Sequence, residues 1–302
     1  MNRFFSHLVL MRPANLVTAV ADILLGFAAS GLGAQLMLPG PSGVLLRPLG
    51  WLVAATLGLY GGGVVFNDVC DAELDRVERP ERPIPSGAAS RLSAGLLAAG
   101  LLLGGIAAAF QASRASGLIA VVVAGLALLY DAAGKHHPLL GPLNMGACRG
   151  GNLLLGLSAV PAALETYWFL ALIPMAYIAA ITTISRGEVH GGDKPLLLTS
   201  LGLYAAVVGS ILALALAGRA GVPVWQVLPF LALFSALIFP SLLRAIASLR
   251  PLDIRRAVKA GVMALILLDA TIAASFAGWQ YGLLVLLLFP LARLLARAFA
   301  VT

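Results

Sequence analysis

Charged side chains are scarce in this chain: Asp, Glu, Lys and Arg make up 11% of its 302 residues, while apolar types make up 60%. A soluble domain carries about 25% charged residues, so a soluble globular protein is excluded. Cysteine is nearly absent. Cys70 and Cys148 are the two present, which rules out a disulfide framework or cysteine-based metal spacing and leaves them as small packing residues. Histidine is equally sparse, with four residues. His136 and His137 lack a ligand set and read as surface residues. No long charged run, low-complexity tail, flexible linker or soluble domain interrupts the apolar pattern. No cleavable leader is expected, because the apolar start at Phe4–Met11 is short and meets Arg12-Pro13. The first long segment is expected to stay as an anchor.

What is present is a series of apolar segments long enough to span a bilayer. They run over 14–34, 48–66, 92–112, 115–130, 143–161, 167–185, 197–217, 225–247, 258–277 and 279–298. These lengths suit helices, whereas a membrane barrel alternates over roughly ten residues. The expected fold is all-α: one domain over 1–302, a polytopic bundle of nine or ten transmembrane helices around a central cavity. The net charge of +7 is spread over short loops, which points to the positive-inside rule and away from nucleic acid. Arg3, Arg12, Arg76–Arg91, Lys135, Arg186–Lys194 and Arg244–Lys259 then share the inner side, as do Arg293 and Arg297 if there are ten crossings. Only isolated arginines such as Arg47, Arg114 and Arg219 fall outside. The expected location is a prokaryotic inner membrane, with the polar loops 67–91, 131–142 and 186–196 facing the cytoplasm.

Acidic residues concentrate in the first of those loops. On a helix at about 100° per residue, Asn67 at 0° is joined by Asp71 near 40°, Asp75 near 80° and Asp68 near 100°, with Glu73 turned away near 240°. Three carboxylates on one stripe repel unless a cation sits among them, and hard oxygen donors suit Mg²⁺, which usually also binds substrate phosphates. The glycines Gly61-Gly62-Gly63 just before the cluster permit close approach of a helix or ligand. The basic, turn-rich stretch Arg76–Gly87 follows, and its arginines, Arg82 among them, can engage phosphate oxygens.

Asn67-Asp68-x-x-Asp71-x-x-x-Asp75, followed by Arg79-Pro80-x-Arg82-Pro83-Ile84-Pro85-Ser86-Gly87, resembles the first aspartate-rich motif of the UbiA superfamily of intramembrane prenyltransferases. Arg12-Pro13-x-Asn15, Tyr130-Asp131-x-x-x-Lys135 and the stretch from Asn144 to Gly156 are similar to further family motifs. The resemblance implies a helical bundle whose cavity opens laterally to lipid. It also implies two acidic motifs that hold Mg²⁺ and a prenyl diphosphate, with the prenyl group passing to an acceptor that is aromatic or lipid-like. The second loop, Ser185–Lys194, departs from the family pattern and resembles the EboC-type branch. Its acids, Glu188 and Asp193, lie about 140° apart on a helix, although Gly187, Gly191 and Gly192 permit a turn that joins them.

On this reading Asn67, Asp68, Asp71, Asp75, Glu188 and Asp193 hold Mg²⁺, and the carboxylates among them are the catalytic set. Arg12, Asn15, Asn67, Arg82, Lys135, Arg149, Asn152, Arg186 and Lys194 bind substrate. Several alternatives stay open. Lys135 either binds diphosphate or pairs with Asp131. Arg149 either takes a phosphate or snorkels to the interface. Asp22, deep in the first span, either serves an acceptor or makes a structural hydrogen bond. Asp269 has no evident partner and reads as structural, as does His190. A non-catalytic UbiA-like lipid binder and, further off, a transporter are the rival classes.

Overall fold

A chain this apolar must satisfy its backbone within each membrane-crossing segment, which only helices do without closing a barrel. The computed structural model describes residues 3–40, 43–134, 137, 139–189, 191–218 and 221–299, and among these there is no strand. The helices in order are α1 (Arg3–Leu10), α2 (Pro13–Ala29), α3 (Leu32–Leu36), α4 (Gly43–Cys70), α5 (Ala72–Glu78), α6 (Arg91–Ala112) and α7 (Arg114–Leu129). They continue with α8 (Leu140–Leu157), α9 (Pro161–Tyr167), α10 (Leu172–Ser185), α11 (Lys194–Leu216), α12 (Leu228–Ser248), α13 (Pro251–Leu286) and α14 (Leu288–Ala298). A single π-type turn, Tyr130–Gly134, ends α7.

Seven of the described helices are long and apolar enough to cross a membrane, or eight if the bent pair α1–α2 is one span. This is below the expected nine or ten for two reasons. In α8, Arg149, Asn144 and Asn152 dilute the apolar run. The last two expected segments form one continuous stretch, Pro251–Ala298. Within it Gly278 takes φ 83°, ψ 171°, a conformation that only glycine adopts without strain. Beyond Gly278 the chain runs back along α2. The Tyr281 hydroxyl donates to the Leu24 carbonyl at 2.9 Å, and Phe299 stacks on Phe5 with ring centroids 5.3 Å apart.

The bundle is centred on α2, α8, α10 and α13, whose buried side chains form the main core together with one face each of α11 and α12. In the most apolar window of Pro251–Ala298, 78% of residues are buried, against 28% in α11. The former is therefore the hub, and α11 faces outward with Leu198 and Leu216 exposed. A second core joins α4, α6 and α7. Small residues set the close crossings, as expected where packing rather than water drives helix association. At the α2–α8 crossing, a Cβ on Gly156 would stand 2.5 Å from the Ile23 carbonyl oxygen. Gly156→Val should therefore separate α2 from α8 at a cost of about 1–3 kcal/mol. A clear drop in the melting temperature in detergent would report this; an unchanged value would mean the helices do not cross so closely.

Candidate active site

The acidic stripe is not continued as one helix. α4 stops at Cys70, and Asp71 (φ −84°, ψ 0°) stands between it and α5. Asp68 and Asp75 are buried and turned to arginines. Arg12 Nη2 donates to Asp68 Oδ1 at 2.6 Å, and Arg82 Nη1 lies 2.8 Å from Asp75 Oδ2 and 3.4 Å from Asp68 Oδ1. Arg82 is only 7% exposed, because the proline-rich loop folds it beneath the end of α4. Arg12 holds a left-handed backbone, φ 49° and ψ 68°, uncommon for a non-glycine residue and worth tracing to its cause. Its ion pair is the fixed partner that can sustain it. Asp68 and Asp75 therefore turn to arginines in this structure, whereas Asp71 does not share these partners. Two aspartates and two arginines neutralise one another, and among the described residues no three His, Cys, Asp or Glu side chains converge to hold an ion.

The other polar groups of the motif face a cavity of about 440 Å³. Asn67 and Asp71 line it from the end of α4, Arg12 and Asn15 from α2, and Arg79 and Arg82 from the loop. Glu188 enters from the 186–193 loop, and α13 adds Arg255 and Lys259. Asn67 Nδ2 donates to Asp131 Oδ1 at 2.6 Å, which orients the amide with its oxygen available as an acceptor. Glu188 is half-buried, and burial raises its carboxyl pKa while Arg255 and Arg79 pull it back down. Mg²⁺ is commonly held by one or two carboxylates together with substrate phosphates and retained waters. Asn67, Asp71 and Glu188 are hard oxygen donors on one cavity beside several cations, so the residues present fit a Mg²⁺–diphosphate.

A second cavity of about 210 Å³ adjoins the first, sharing Asn15 and Val262 with it. Its walls are mostly apolar, with Leu59, Val123, Met145, Ile178 and Leu265, and its polar lining includes Tyr60, Arg149 and Asn152. Arg149 and Asn152 share a face of α8, and both are tied to side chains and carbonyls of neighbouring helices. Arg149 Nε stands 2.8 Å from Asp22 Oδ2, and its Nη2 stands 3.7 Å from Asp269 Oδ2. Its Nη1 donates to Thr18 Oγ1 at 3.1 Å, and the same Nη2 donates to the Thr18 carbonyl at 2.7 Å. Asn152 Nδ2 donates to Asp22 Oδ2 and to the Ala19 carbonyl, each at 2.8 Å, and its Oδ1 accepts from Thr56 at 2.7 Å. A charge inside a span is tolerated when paired within the bundle. Asp22, Asp269 and Arg149 do this across α2, α13 and α8, so Asp269 has the partner that the sequence left unseen.

Of the two acids in the second motif, one lines the cavity. The glycines do build a tight turn: Gly191 takes φ +97°, and its N–H donates to the Gly187 carbonyl at 3.1 Å. That turn delivers Glu188 to the cavity but leaves Asp193, Lys194 and Arg186 exposed and outside its lining. Asp193 sits where α11 begins, so its side chain leaves with the helix rather than returning to Glu188. Lys135, His136 and His190 lie outside the described residues. His137 is exposed, and its Nδ1 accepts from the Leu139 and Leu140 N–H groups at the start of α8. Sequence reasoning missed Arg255 and Lys259 as site residues. The available signal was an i, i+4 pair of cations just after Pro251, on the loop side shared with the acidic motifs.

The structure is thus a helical membrane bundle in which an oxygen-rich, cationic cavity adjoins a mostly apolar one. The chain belongs to the UbiA prenyltransferase family, whose sequence model matches residues 24–266, and it is a multi-pass membrane prenyltransferase of that family. The digeranylgeranylglyceryl phosphate synthase of Methanoculleus marisnigri is 29% identical over 218 residues, covering 67% of this chain and 73% of the relative. That of Methanopyrus kandleri is 30% identical, covering 70% and 76%. A solved structure of digeranylgeranylglyceryl phosphate synthase superposes with a TM-score of 0.67 at 19% identity, covering 92% of this chain and 99% of the other. A UbiA homologue from Archaeoglobus fulgidus, bound to GPP and Mg²⁺, gives 0.61 at 16% identity, covering 88% and 99%. At these identities the two structures establish a shared fold.

Proposed function

We propose that this protein transfers a prenyl group from a prenyl diphosphate to a lipid acceptor with a glycerol phosphate head, in one domain spanning 1–302. The observation that carries this reading is the junction of the two cavities at Asn15 and Val262. There a charged headgroup chamber meets an apolar one, as an amphiphile with a reactive head requires. The relatives' name, a glyceryl phosphate with two geranylgeranyl groups, favours a lipid over a small aromatic acceptor.

Asn67, Asp71 and Glu188 would hold Mg²⁺, which when bound offsets the negative charge that grows on a departing diphosphate. Arg79 adds a further cation to the same chamber, where it would face the charge that grows on the leaving group. The Arg12–Asp68 and Arg82–Asp75 pairs lock the chamber's rim and keep Asn67 and Asp71 in place. Prenyl transfer breaks the C1–O bond, sends its electron pair to the diphosphate, and joins C1 to the acceptor oxygen as the hydroxyl proton is lost. The apolar walls Leu59, Val123, Ile178 and Leu265 keep water from the electron-poor carbon. The site faces the cytoplasm of a prokaryotic inner membrane in this reading, on the side of the cationic loops.

Glu188 and Asp193 give the test. Glu188→Gln is expected to slow diphosphate release by about 100-fold, since charge on the leaving group grows towards the transition state. Asp193→Asn is expected to stay within about 3-fold of wild type, its side chain being outside the cavity. Steady-state release from geranylgeranyl diphosphate with Mg²⁺ reads both. An Asp193 effect as large as that of Glu188 would overturn the one-acid assignment. Binding of the diphosphate without any release would favour the lipid-binding alternative.

A further inference from the structure

The cations on the α13 wall have no role in holding the diphosphate as described above. Arg255 and Lys259 are one helical turn apart and line the same 440 Å³ cavity as Asn67 and Asp71. The α4 and α13 walls both pack on α2, with the cavity between them. Unlike Arg12 and Arg82, neither α13 cation has a carboxylate within ion-pair distance among the described residues. Arg255 Nε is anchored by the Glu188 carbonyl at 3.0 Å, which fixes the guanidinium and leaves its two amino groups to donate. Both side chains are exposed at the cavity mouth, whereas Asn67, Asp71 and Asn15 are partly buried deeper in. The cavity holds roughly fifteen water volumes at about 30 Å³ each, more space than a diphosphate fills.

We propose that Arg255 and Lys259 form a second anion site at the mouth of this cavity, which takes the phosphate monoester of the lipid acceptor. A fixed guanidinium beside a flexible ammonium suits a phosphate dianion, the first by forked hydrogen bonds and the second as a point charge. The position would hold the acceptor's head at the membrane surface and let its hydroxyl reach inward to the diphosphate chamber. This inference rests on the proposed transfer to a phosphorylated lipid and names the residues that select for it.

The test uses the full-length protein in lipid nanodiscs with two probes, an alkylglycerol phosphate and the same alkylglycerol without phosphate. Direct binding of each, KM for each, and Mg²⁺-dependent binding of geranylgeranyl diphosphate are measured for wild type, Arg255→Gln, Lys259→Gln and Lys259→Arg. The phosphorylated probe should lose about 10-fold in affinity and KM for each Gln substitution, the scale of one charge-assisted hydrogen bond. Lys259→Arg should recover most of the loss, and the unphosphorylated probe should be indifferent to all three. Inorganic phosphate should compete only weakly, because a lipid chain is part of the ligand. Because Arg255 also holds the Glu188 backbone, the control is Lys259→Gln, for which diphosphate affinity should stay within about 2-fold. If it falls in step with the acceptor's, the pair belongs to the diphosphate site and the inference is wrong. It is equally wrong if the wild type prefers the unphosphorylated probe, a result that leaves the transferase reading standing. If the phosphorylated probe binds with this pattern but is never prenylated, the anion site stands and the transferase reading falls.

Discussion

Arg149→Met is expected to yield little folded protein. Asp22 and Asp269 are wholly buried and face this one guanidinium. Removing it strands two carboxylates in the bundle interior and takes away the side-chain donor to the Thr18 carbonyl. Breaking a buried ion pair from one side costs about 3–5 kcal/mol, a large share of the roughly 5–15 kcal/mol that holds a domain folded. Yield of monodisperse protein in detergent and its melting temperature are the readouts. Combining the change with Asp22→Asn and Asp269→Asn should restore much of the loss, because charges and counter-charge then leave together. A single Arg149→Met variant that folds like wild type but loses diphosphate binding would return Arg149 to the substrate site and contradict the structural role.

Asp71→Asn is expected to do the opposite, leaving folding intact and abolishing the function. Asp71 lies at the break between α4 and α5 and lines the headgroup cavity. An amide cannot replace the second anionic oxygen that Mg²⁺ needs, and loss of one such group commonly costs on the order of 100–1,000-fold in turnover. Mg²⁺-dependent binding of geranylgeranyl diphosphate should fall below detection with the melting temperature unchanged. Asp68→Asn and Asp75→Asn should differ in kind, lowering stability first, because each breaks a buried pair with an arginine. If all three variants lost diphosphate binding equally with no change in stability, the three-carboxylate cluster expected from the helical arc would be right after all.

That contrast marks how far the sequence could be read. The all-helical bundle was legible because long apolar segments leave few other solutions in a bilayer. The first motif was legible in kind, with Asn67, Asp71 and Arg79 facing one cavity. The arc of Asp68, Asp71 and Asp75 assumed one continuous helix, whereas α4 and α5 meet at Asp71 and the following loop brings Arg82 to two of the three acids. Loop closure of that sort depends on tertiary packing, and periodicity does not record it. The same limit hid the Arg149 triad, whose members come from α2, α8 and α13. It also hid Arg255 and Lys259, which reach the site from a helix far along the chain. Glu188 lines the cavity and Asp193 does not, since a glycine-rich turn can bring two acids together but need not.

The most direct measurement is prenyl transfer by the purified wild-type chain, from geranylgeranyl diphosphate with Mg²⁺ to an alkylglycerol phosphate, with lipid product and diphosphate both quantified. The account predicts equal amounts of ether lipid and diphosphate, both lost with Asp71→Asn. Tight binding of geranylgeranyl diphosphate with no diphosphate released, whatever acceptor is offered, would contradict it and leave a lipid-binding protein of the same fold.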